Sequence, residues 1–433
     1  MTFMYRQPGL AFTDHVIQVP LDHAQPDGEQ IEVFAREVVG AEKLDRRGRV
    51  PDDLPWLVYL QGGPGGKADR PAGGRTGWLN RALDDYRVVL LDQRGTGRST
   101  PATRQTLALV GPPSAQAEYL EHFRADSIVR DAELVRLSLA GGETRWTALG
   151  QSFGGFCTMS YLSLAPEGLQ DALVTGGLPP LTATVDEIYR ATYQRTLQKN
   201  QAYYARYPDD AEVATRVAAH LRDNDVRLPT GERFTPRRFQ HLGIRFGQRR
   251  HFDDLHFQLE EAFLPGSDAQ ALSDSFLHGV GPLVSFATMP LYAVLHEACW
   301  AQGQATNWAA ERVRTEYPQF DPDRTPLLFT GEMIYPWMFD EDPALVPLRE
   351  TAEILATKVD WPPLYDVERL RANEVPVAAA IYHDDMYVEY AFSLETAKTV
   401  GACRYWVTSE YEHDGLRSGR VLDHLIGLVR GTR

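Results

Sequence analysis

Two short apolar runs, each ending in a glycine-rich turn, constrain the fold of this chain most strongly. Trp56–Leu60 leads into residues 61–66, Gln-Gly-Gly-Pro-Gly-Gly, and Tyr86–Leu91 leads into residues 92–95, Asp-Gln-Arg-Gly. Neither run alternates polar and apolar residues, which is typical of strands covered on both faces. The two runs therefore predict central strands of a sheet that has helices on both sides.

The same half of the chain alternates strand-like and helix-like segments. His15–Pro20 and Ile31–Val39 alternate polar and apolar residues, which predicts an opening antiparallel pair. The segments that follow are a helix at Ala125–Leu139, a strand at Trp146–Leu149, a helix at Phe153–Ala165 and a strand at Ala172–Thr175. Strands that alternate with helices in this way predict an α/β fold with a mostly parallel sheet.

A helix-rich segment interrupts this pattern after Pro180. Strand signals return only late, at Val375–Ile381 and Arg404–Thr408, and they are followed by a last helix at Gly419–Val429. A chain of 433 residues is also longer than one hydrophobic core usually serves. We therefore predict an α/β core in two parts, residues 1–180 and 371–433, with a helical cap domain at residues 181–370 inserted between them.

The composition excludes several classes of partner. Lys and Arg number 44 and Asp and Glu 59, a formal net charge of −15, so the chain on average repels nucleic acid and anionic lipid. It has no apolar run of membrane-spanning length, and residues 1–14 lack the features of a signal peptide. Three cysteines without a CxxC pair predict neither a disulfide framework nor a zinc site. We expect a cytoplasmic protein that binds neither nucleic acid nor membrane; its oligomeric state stays open, a homo-oligomer included.

The most informative motif is Gly-Gln-Ser-Phe-Gly at residues 150–154. It is the pattern G-x-S-x-G, and it lies between a predicted strand and a predicted helix. A serine in a glycine-rich turn is more often structural than catalytic, but this strand–turn–helix context favours a nucleophile. The small neighbours leave the Ser152 hydroxyl exposed, and the helix N-terminus behind it presents N–H groups to developing negative charge.

Acyl transfer also needs two backbone donors for the oxyanion of the tetrahedral intermediate. On this kind of turn one donor is the residue after the nucleophile, here Phe153. The other comes from an upstream glycine-rich loop, and we assign it to Gly63, because glycines let the backbone approach a substrate closely.

Two other interpretations of the glycine-rich turns fail. A phosphate-binding loop would need glycine at position 61 and a hydroxyl residue at position 68, where this chain has Gln61 and Ala68. A dinucleotide fingerprint beginning at Gly95 would need a third glycine where this chain has Thr100.

A serine nucleophile needs a base, and the base needs an orienting carboxylate. On this fold the chain order is serine, acid, histidine. The first returning strand leads into Asp384 and Asp385, and the second leads into His413. His413 is the best placed of the twelve histidines, because His383 precedes the acid and His424 lies within the final helix.

Three ordered motifs together resemble the proline iminopeptidases, serine peptidases of the α/β-hydrolase fold. They are GGPGG at residues 62–66, DQRGTGRS at 92–99 and GQSFGG at 150–155. The resemblance implies a helical cap over the core and hydrolysis without a metal or an organic cofactor. The family usually has histidine where Gln61 stands and tryptophan where Phe153 stands, and the second difference leaves the backbone N–H in place.

The resemblance also implies roles for particular acidic residues. The triad acid of the family precedes a methionine, so Asp385, followed by Met386, is assigned in preference to Asp384. The cap of the family supplies acids that hold the free N-terminus of the substrate, and Glu297 and Glu332 lie in the matching segments. A single glutamate is most often a surface charge, but these two lie among apolar and aromatic residues, where an unpaired carboxylate is costly.

The residues and the resemblance together predict a serine aminopeptidase. It would remove the N-terminal residue, preferentially proline, from short peptides through an acyl-enzyme on Ser152, with His413 as base and Asp385 as the orienting acid. Alternatives on the same fold are an esterase, an amidase or an aminopeptidase of broader specificity. A non-catalytic binding protein is a further alternative, and a full set of triad candidates argues against it.

Overall fold

A computed structural model describes residues 3–72, 74, 75, 77–264, 266, 271–418 and 420–432. Nine strands of this part of the chain form one sheet. The strands are Phe3–Gln7 (β1), Leu10–Pro20 (β2), Gln30–Gly40 (β3), Trp56–Leu60 (β4), Arg87–Leu91 (β5), Trp146–Gln151 (β6), Leu169–Thr175 (β7), Val377–Tyr382 (β8) and Cys403–Thr408 (β9). Their spatial order is β1-β2-β3-β5-β4-β6-β7-β8-β9.

The sheet is mostly parallel, as the sequence predicts. Strands β1, β2 and β3 pair in antiparallel fashion, and β3 joins the parallel part by an antiparallel pairing with β5. From β5 through β4, β6, β7 and β8 to β9 every pairing is parallel. In the register of β4 with β6, Leu60 lies opposite Gly150, so the turns after these two strands begin side by side.

The helices are distributed along the whole described chain. The first part of the core contains Gly77–Asp85 (α1), Arg104–Val110 (α2), Pro113–Leu120 (α3), Ala125–Ala140 (α4) and Phe153–Leu164 (α5). The inserted segment contains Val185–Arg206 (α6), Asp210–Asp223 (α7), Pro236–Gln240 (α8), Arg250–Glu260 (α9), Asp274–Val280 (α10), Pro290–Leu295 (α11), Ala309–Arg314 (α12), Met338–Glu341 (α13) and Arg349–Thr357 (α14). The remainder contains Val367–Arg371 (α15), Tyr390–Thr399 (α16) and Arg420–Val429 (α17). The predicted first residue of the last helix, Gly419, lies outside the described residues.

The described residues divide into two compact units. The first comprises the chain up to Thr182 together with residues 360–383 and the chain from Tyr390 onward, and the second comprises residues 183–359 and 384–389. The first unit thus includes residues 360–370, which the predicted boundary assigns to the inserted domain. These residues pack on α5, where the Ser160 hydroxyl donates to the carbonyl oxygen of Leu364 at 3.0 Å. The roles of the units as catalytic core and cap stay a prediction.

The core of the first unit explains why its central strands lack alternation. Every residue of β4 and β5 is buried. Leu57, Tyr59 and Leu149 on the sheet pack with Leu422 and Leu425 of α17, and α5 packs on β4, β6 and β7. Each buried side chain of leucine size contributes about 1.5–3 kcal/mol to folding. Among the described residues, no helix is both long and apolar enough to cross a membrane.

Candidate active site

Ser152 lies in a strained turn between β6 and α5. Its φ is 55° and its ψ −126°, a conformation that residues with a side chain rarely adopt. The Ser152 N–H donates to the carbonyl oxygen of Thr175 at 3.1 Å, and the Gly155 N–H donates to the Ser152 carbonyl oxygen at 2.7 Å. The neighbouring strand and the first turn of α5 therefore hold the strained backbone in place.

The glycines of the motif allow close backbone packing around this turn. A methyl group built on Gly154 would lie 1.9 Å from the carbonyl oxygen of Leu60, and one on Gly150 would lie 2.4 Å from the carbonyl oxygen of Gly154. A methyl group on Gly155 would lie 2.2 Å from the carbonyl oxygen of Gly177. Since each of these contacts is with backbone, a side chain at any of the three positions would displace the turn.

The loop after β4 lies against the nucleophile. A methyl group on Gly62 would lie 3.0 Å from Cβ of Ser152, so only glycine permits this approach. Gly63 follows with a φ of 147°, and a side chain there would lie 2.8 Å from the backbone nitrogen of Gly66. Phe153 is the first residue of α5, so its N–H has no partner within the helix. Both predicted donors thus belong to backbone segments directly beside Ser152.

His413 is buried and is brought to the same place by the end of β7. A methyl group on Gly176 would lie 3.2 Å from Nδ1 of His413, and one on Gly177 would lie 2.4 Å from the carbonyl oxygen of Ser152. The Gln151 side chain also makes a long hydrogen bond, 3.5 Å, to the carbonyl oxygen of His413. The structure therefore brings the predicted base and the predicted nucleophile to one strand end.

Asp385 follows β8 by three residues and is buried. Its Oδ1 accepts hydrogen bonds from the backbone N–H of Tyr387 at 2.8 Å and of Val388 at 3.1 Å, which fix the orientation of the carboxylate. Asp384, the reserve candidate, is half-buried. The strand that precedes Asp385 pairs in parallel with β9, the strand that precedes His413. The assignment of Asp385 as the triad acid stays a prediction.

Glu297 belongs to the second unit and is almost fully buried, with 7% of its surface exposed. Its side chain lies at the N-terminus of α12. Its carboxylate accepts from the backbone N–H of Ala309 at 3.1 Å and of Ala310 at 2.9 Å. Burial raises the pKa of Glu297 to about 7, against hydrogen bonds from Ala310, Thr306 and Ala309 that lower the pKa. Glu297 therefore holds a helix N-terminus, a structural role that the sequence did not predict.

Glu332 is half-buried and accepts a hydrogen bond from the hydroxyl of Tyr292. The ring of Tyr292 stacks on His296, and burial lowers the pKa of His296 to about 4. The Glu332 carboxylate therefore contacts a tyrosine hydroxyl, and the ring of that tyrosine stacks on an imidazole that stays neutral near pH 7. The binding of a cation by Glu332 stays a prediction.

Tyr189 is a buried residue of the second unit that the sequence did not single out. It is 1% exposed, and its hydroxyl has no hydrogen-bond partner among the described residues. Its pKa is raised well above the ordinary value, first by burial and then by charges that include those of Glu297 and Glu332. The two predicted glutamates thus act on one buried hydroxyl. No local sequence pattern indicates a functional role for Tyr189, because an aromatic residue on an amphipathic helix usually belongs to the hydrophobic core.

Comparisons with known proteins agree with this geometry. Residues 55–264 match the family model described as alpha/beta hydrolase fold. Over 430 residues the chain is 49% identical to a proline iminopeptidase of Aeromonas sobria, with 98% of each chain covered. Over 445 residues it is 34% identical to a proline iminopeptidase of Aspergillus aculeatus, with 98% of this chain and 95% of the other covered. These matches confirm the predicted fold and the predicted resemblance.

Proposed function

Since the chain belongs to the proline iminopeptidases, serine aminopeptidases of the α/β-hydrolase fold, we propose that it hydrolyses the first peptide bond of peptides that begin with proline. The observation that carries this proposal is the strained turn at Ser152, with the glycine loop after β4 packed against its Cβ. This arrangement leaves a nucleophile beside backbone donors, which is what acyl transfer requires.

In the proposed reaction Ser152 attacks the first carbonyl carbon of the peptide while His413 takes the hydroxyl proton. Asp385 orients His413 and stabilises its protonated form. The N–H groups of Gly63 and Phe153 donate to the oxyanion of the tetrahedral intermediate. His413 then returns the proton to the leaving amine, and water hydrolyses the acyl-enzyme with His413 again as base.

Glu297 and Glu332 are proposed to bind the cationic N-terminus of the substrate. Both lie in the second unit, and both raise the pKa of the buried Tyr189 hydroxyl, which supports their lying near one another. The two backbone hydrogen bonds to Glu297 do not exhaust its capacity, since a carboxylate has about four lone-pair positions. Binding the terminal ammonium fixes the register of the peptide, so the enzyme removes one residue and does not cut internally.

The expected partners and location complete the proposal. The substrates are short peptides with N-terminal proline, and the location is the cytoplasm. The net charge of −15 supports the absence of nucleic-acid and lipid partners. The proposed reaction requires no metal or organic cofactor, because Ser152, His413 and the backbone donors supply nucleophile, base and charge stabilisation.

The test compares three substrates on the purified protein: a prolyl arylamide, an alanyl arylamide and a short acyl ester. We expect the highest kcat/KM on the prolyl compound. A matched labelling experiment uses a fluorophosphonate, which should react with the wild type and fail to react with Ser152→Ala. Turnover of the ester alone would show that the protein is an esterase and not a peptidase. A wild type that is not labelled and turns over none of the substrates would favour the non-catalytic binding protein.

A further inference from the structure

The motif that follows β5, residues 92–99, contacts the loop that carries the predicted oxyanion donor. We call this loop, residues 61–66, the oxyanion loop, and the contact is made at its first residue. Gln93 is buried, and its side-chain Nε2 donates to the carbonyl oxygen of Gln61 at 2.9 Å. Gln61 directly precedes Gly62 and Gly63, the glycines that lie beside the nucleophile. A hydrogen bond to this carbonyl fixes the peptide plane from which the loop departs.

The preceding residue of the same motif contacts the loop near its other end. Asp92 is fully buried, and its Oδ1 accepts from the backbone N–H of Ala68 at 3.2 Å and from Arg70 at 2.9 Å. Its Oδ2 accepts from the backbone N–H of Arg98 at 2.9 Å. Asp92 and Gln93 therefore hold the loop on both sides of the segment that contains Gly63.

These hydrogen bonds near both ends of the oxyanion loop are important because the loop has few interactions of its own that fix its conformation. Residues 62–66 are glycine and proline, which offer no polar side chain to anchor the backbone, and glycine has more accessible conformations than any other residue. An oxyanion donor is effective only when its N–H is aimed in advance at the position of the developing charge. The anchors outside the glycines must therefore supply that order.

We propose that Gln93, supported by Asp92, is a positioning residue for the Gly63 oxyanion donor. The inference rests on the proposed acyl-transfer site and adds to it the group that sets the geometry of one donor. A donor displaced by a fraction of an ångström stabilises the transition state less while substrate binding is kept. We expect loss of the Gln93 amide to lower kcat roughly 10- to 100-fold with little change in KM.

The test uses Gln93→Met, which keeps the length of the side chain and removes its donor, and Gln93→Asn, which keeps an amide too short to reach Gln61. The control is Arg98→Met in the same turn, because the Arg98 side chain is exposed and pairs with Asp14 at 2.8 Å. Rates on a short acyl ester are normalised to active sites counted with a fluorophosphonate. The affinity of phenylboronate, which forms a tetrahedral adduct with an active serine, is measured in parallel.

The expected result is a fall in per-site kcat and an equal fall in phenylboronate affinity for both Gln93 variants, with Arg98→Met unchanged. A structural role alone would lower the number of active sites and leave per-site kcat and boronate affinity at the wild-type value, which overturns the inference while the proposed reaction stands. A wild type that does not label overturns the proposed reaction and this inference together.

Discussion

The two predicted sites of this protein are built by different means. In the first unit, the groups around Ser152 are mostly backbone, and they are held by close glycine contacts such as Gly62 against Cβ of Ser152. In the second unit, the groups around Tyr189 are side chains, and burial shifts their pKa values: that of Glu297 rises to about 7 and that of His296 falls to about 4.

Each kind of construction makes its site sensitive to a different perturbation. A backbone site depends on the space between main-chain segments, so added volume harms it and a change of pH leaves its donors intact. A site of buried acids depends on ionisation, so pH and removal of charge act on it while small changes of volume matter less. Added volume should therefore affect mainly catalysis, and pH or loss of charge should affect mainly recognition of the substrate.

The largest effect is expected from Ser152→Ala. Removal of the nucleophile should lower kcat on prolyl arylamide and acyl ester alike, by roughly 10⁴-fold or more, because both reactions use the same hydroxyl. Ser160→Ala is the matched control, since this serine lies on the helix that follows Ser152 and donates to the Leu364 carbonyl oxygen. Rates on both substrates and fluorophosphonate labelling are measured. Retained ester turnover in Ser152→Ala would assign the ester reaction to another nucleophile.

The next largest effect tests the backbone packing of the first site. Gly154→Ala places a methyl group 1.9 Å from the Leu60 carbonyl oxygen, and we expect a loss of about 3 kcal/mol or more in the free energy of unfolding. The control is Gly142→Ala, where nothing lies within 4 Å of the added methyl group. Thermal unfolding monitored by circular dichroism gives both values. Equal stability of the two variants would contradict the close approach of α5 to β4.

The backbone site could be predicted from sequence far better than the side-chain site. Trp56–Leu60 and the turn at Ser152 were located correctly, because buried strands and glycine-rich turns leave strong local patterns. Strand β1 was missed, since Tyr5, Arg6 and Gln7 give it a polar sequence typical of an edge. The first unit includes residues 360–370, which the predicted boundary assigns to the inserted domain, because their packing against α5 has no local sequence pattern.

The residues of the second site depend on contacts that no local pattern contains. Glu297 is 12 and 13 residues from the N–H groups that it binds, and only the folded chain brings them together. The buried hydroxyl of Tyr189 belongs to a helix whose aromatic residues are mostly core. Gln93 was visible in sequence as part of a family motif, but its contact with Gln61 follows from the register of β4 and β5.

Glu332→Gln tests recognition separately from catalysis. Loss of one charge-assisted contact should lower kcat/KM for the prolyl arylamide by a factor that corresponds to about 1–3 kcal/mol. Ester hydrolysis should change little, because an ester carries no ammonium group. Glu316→Gln is the control, since its carboxylate pairs with Arg190 on the surface of the same unit. Equal losses on both substrates would give Glu332 a structural role.

The smallest effect concerns the pH dependence of recognition. The pKa of Glu297 is raised to about 7 by burial, so its carboxylate loses its charge as the pH falls below that value. If Glu297 binds the substrate ammonium in its charged form, kcat/KM for the prolyl arylamide should fall by up to about fivefold between pH 7 and pH 6. The ester is measured over the same range, because any pH effect on the shared catalytic groups changes both rates and cancels in the ratio of their kcat/KM values.

The variant Glu297→Gln completes this measurement. In the variant the ratio should be low and should lose this pH dependence, since no charge remains to titrate at position 297. If Glu297 serves only to hold the N-terminus of α12, the wild-type ratio is already flat between pH 6 and pH 8, and the variant loses stability and keeps its preference for the prolyl substrate. The ratio thus decides whether the buried Glu297 takes part in recognition of the substrate or only in folding. The backbone donors of the first unit carry no titratable group, so pH cannot be used to test them in this way.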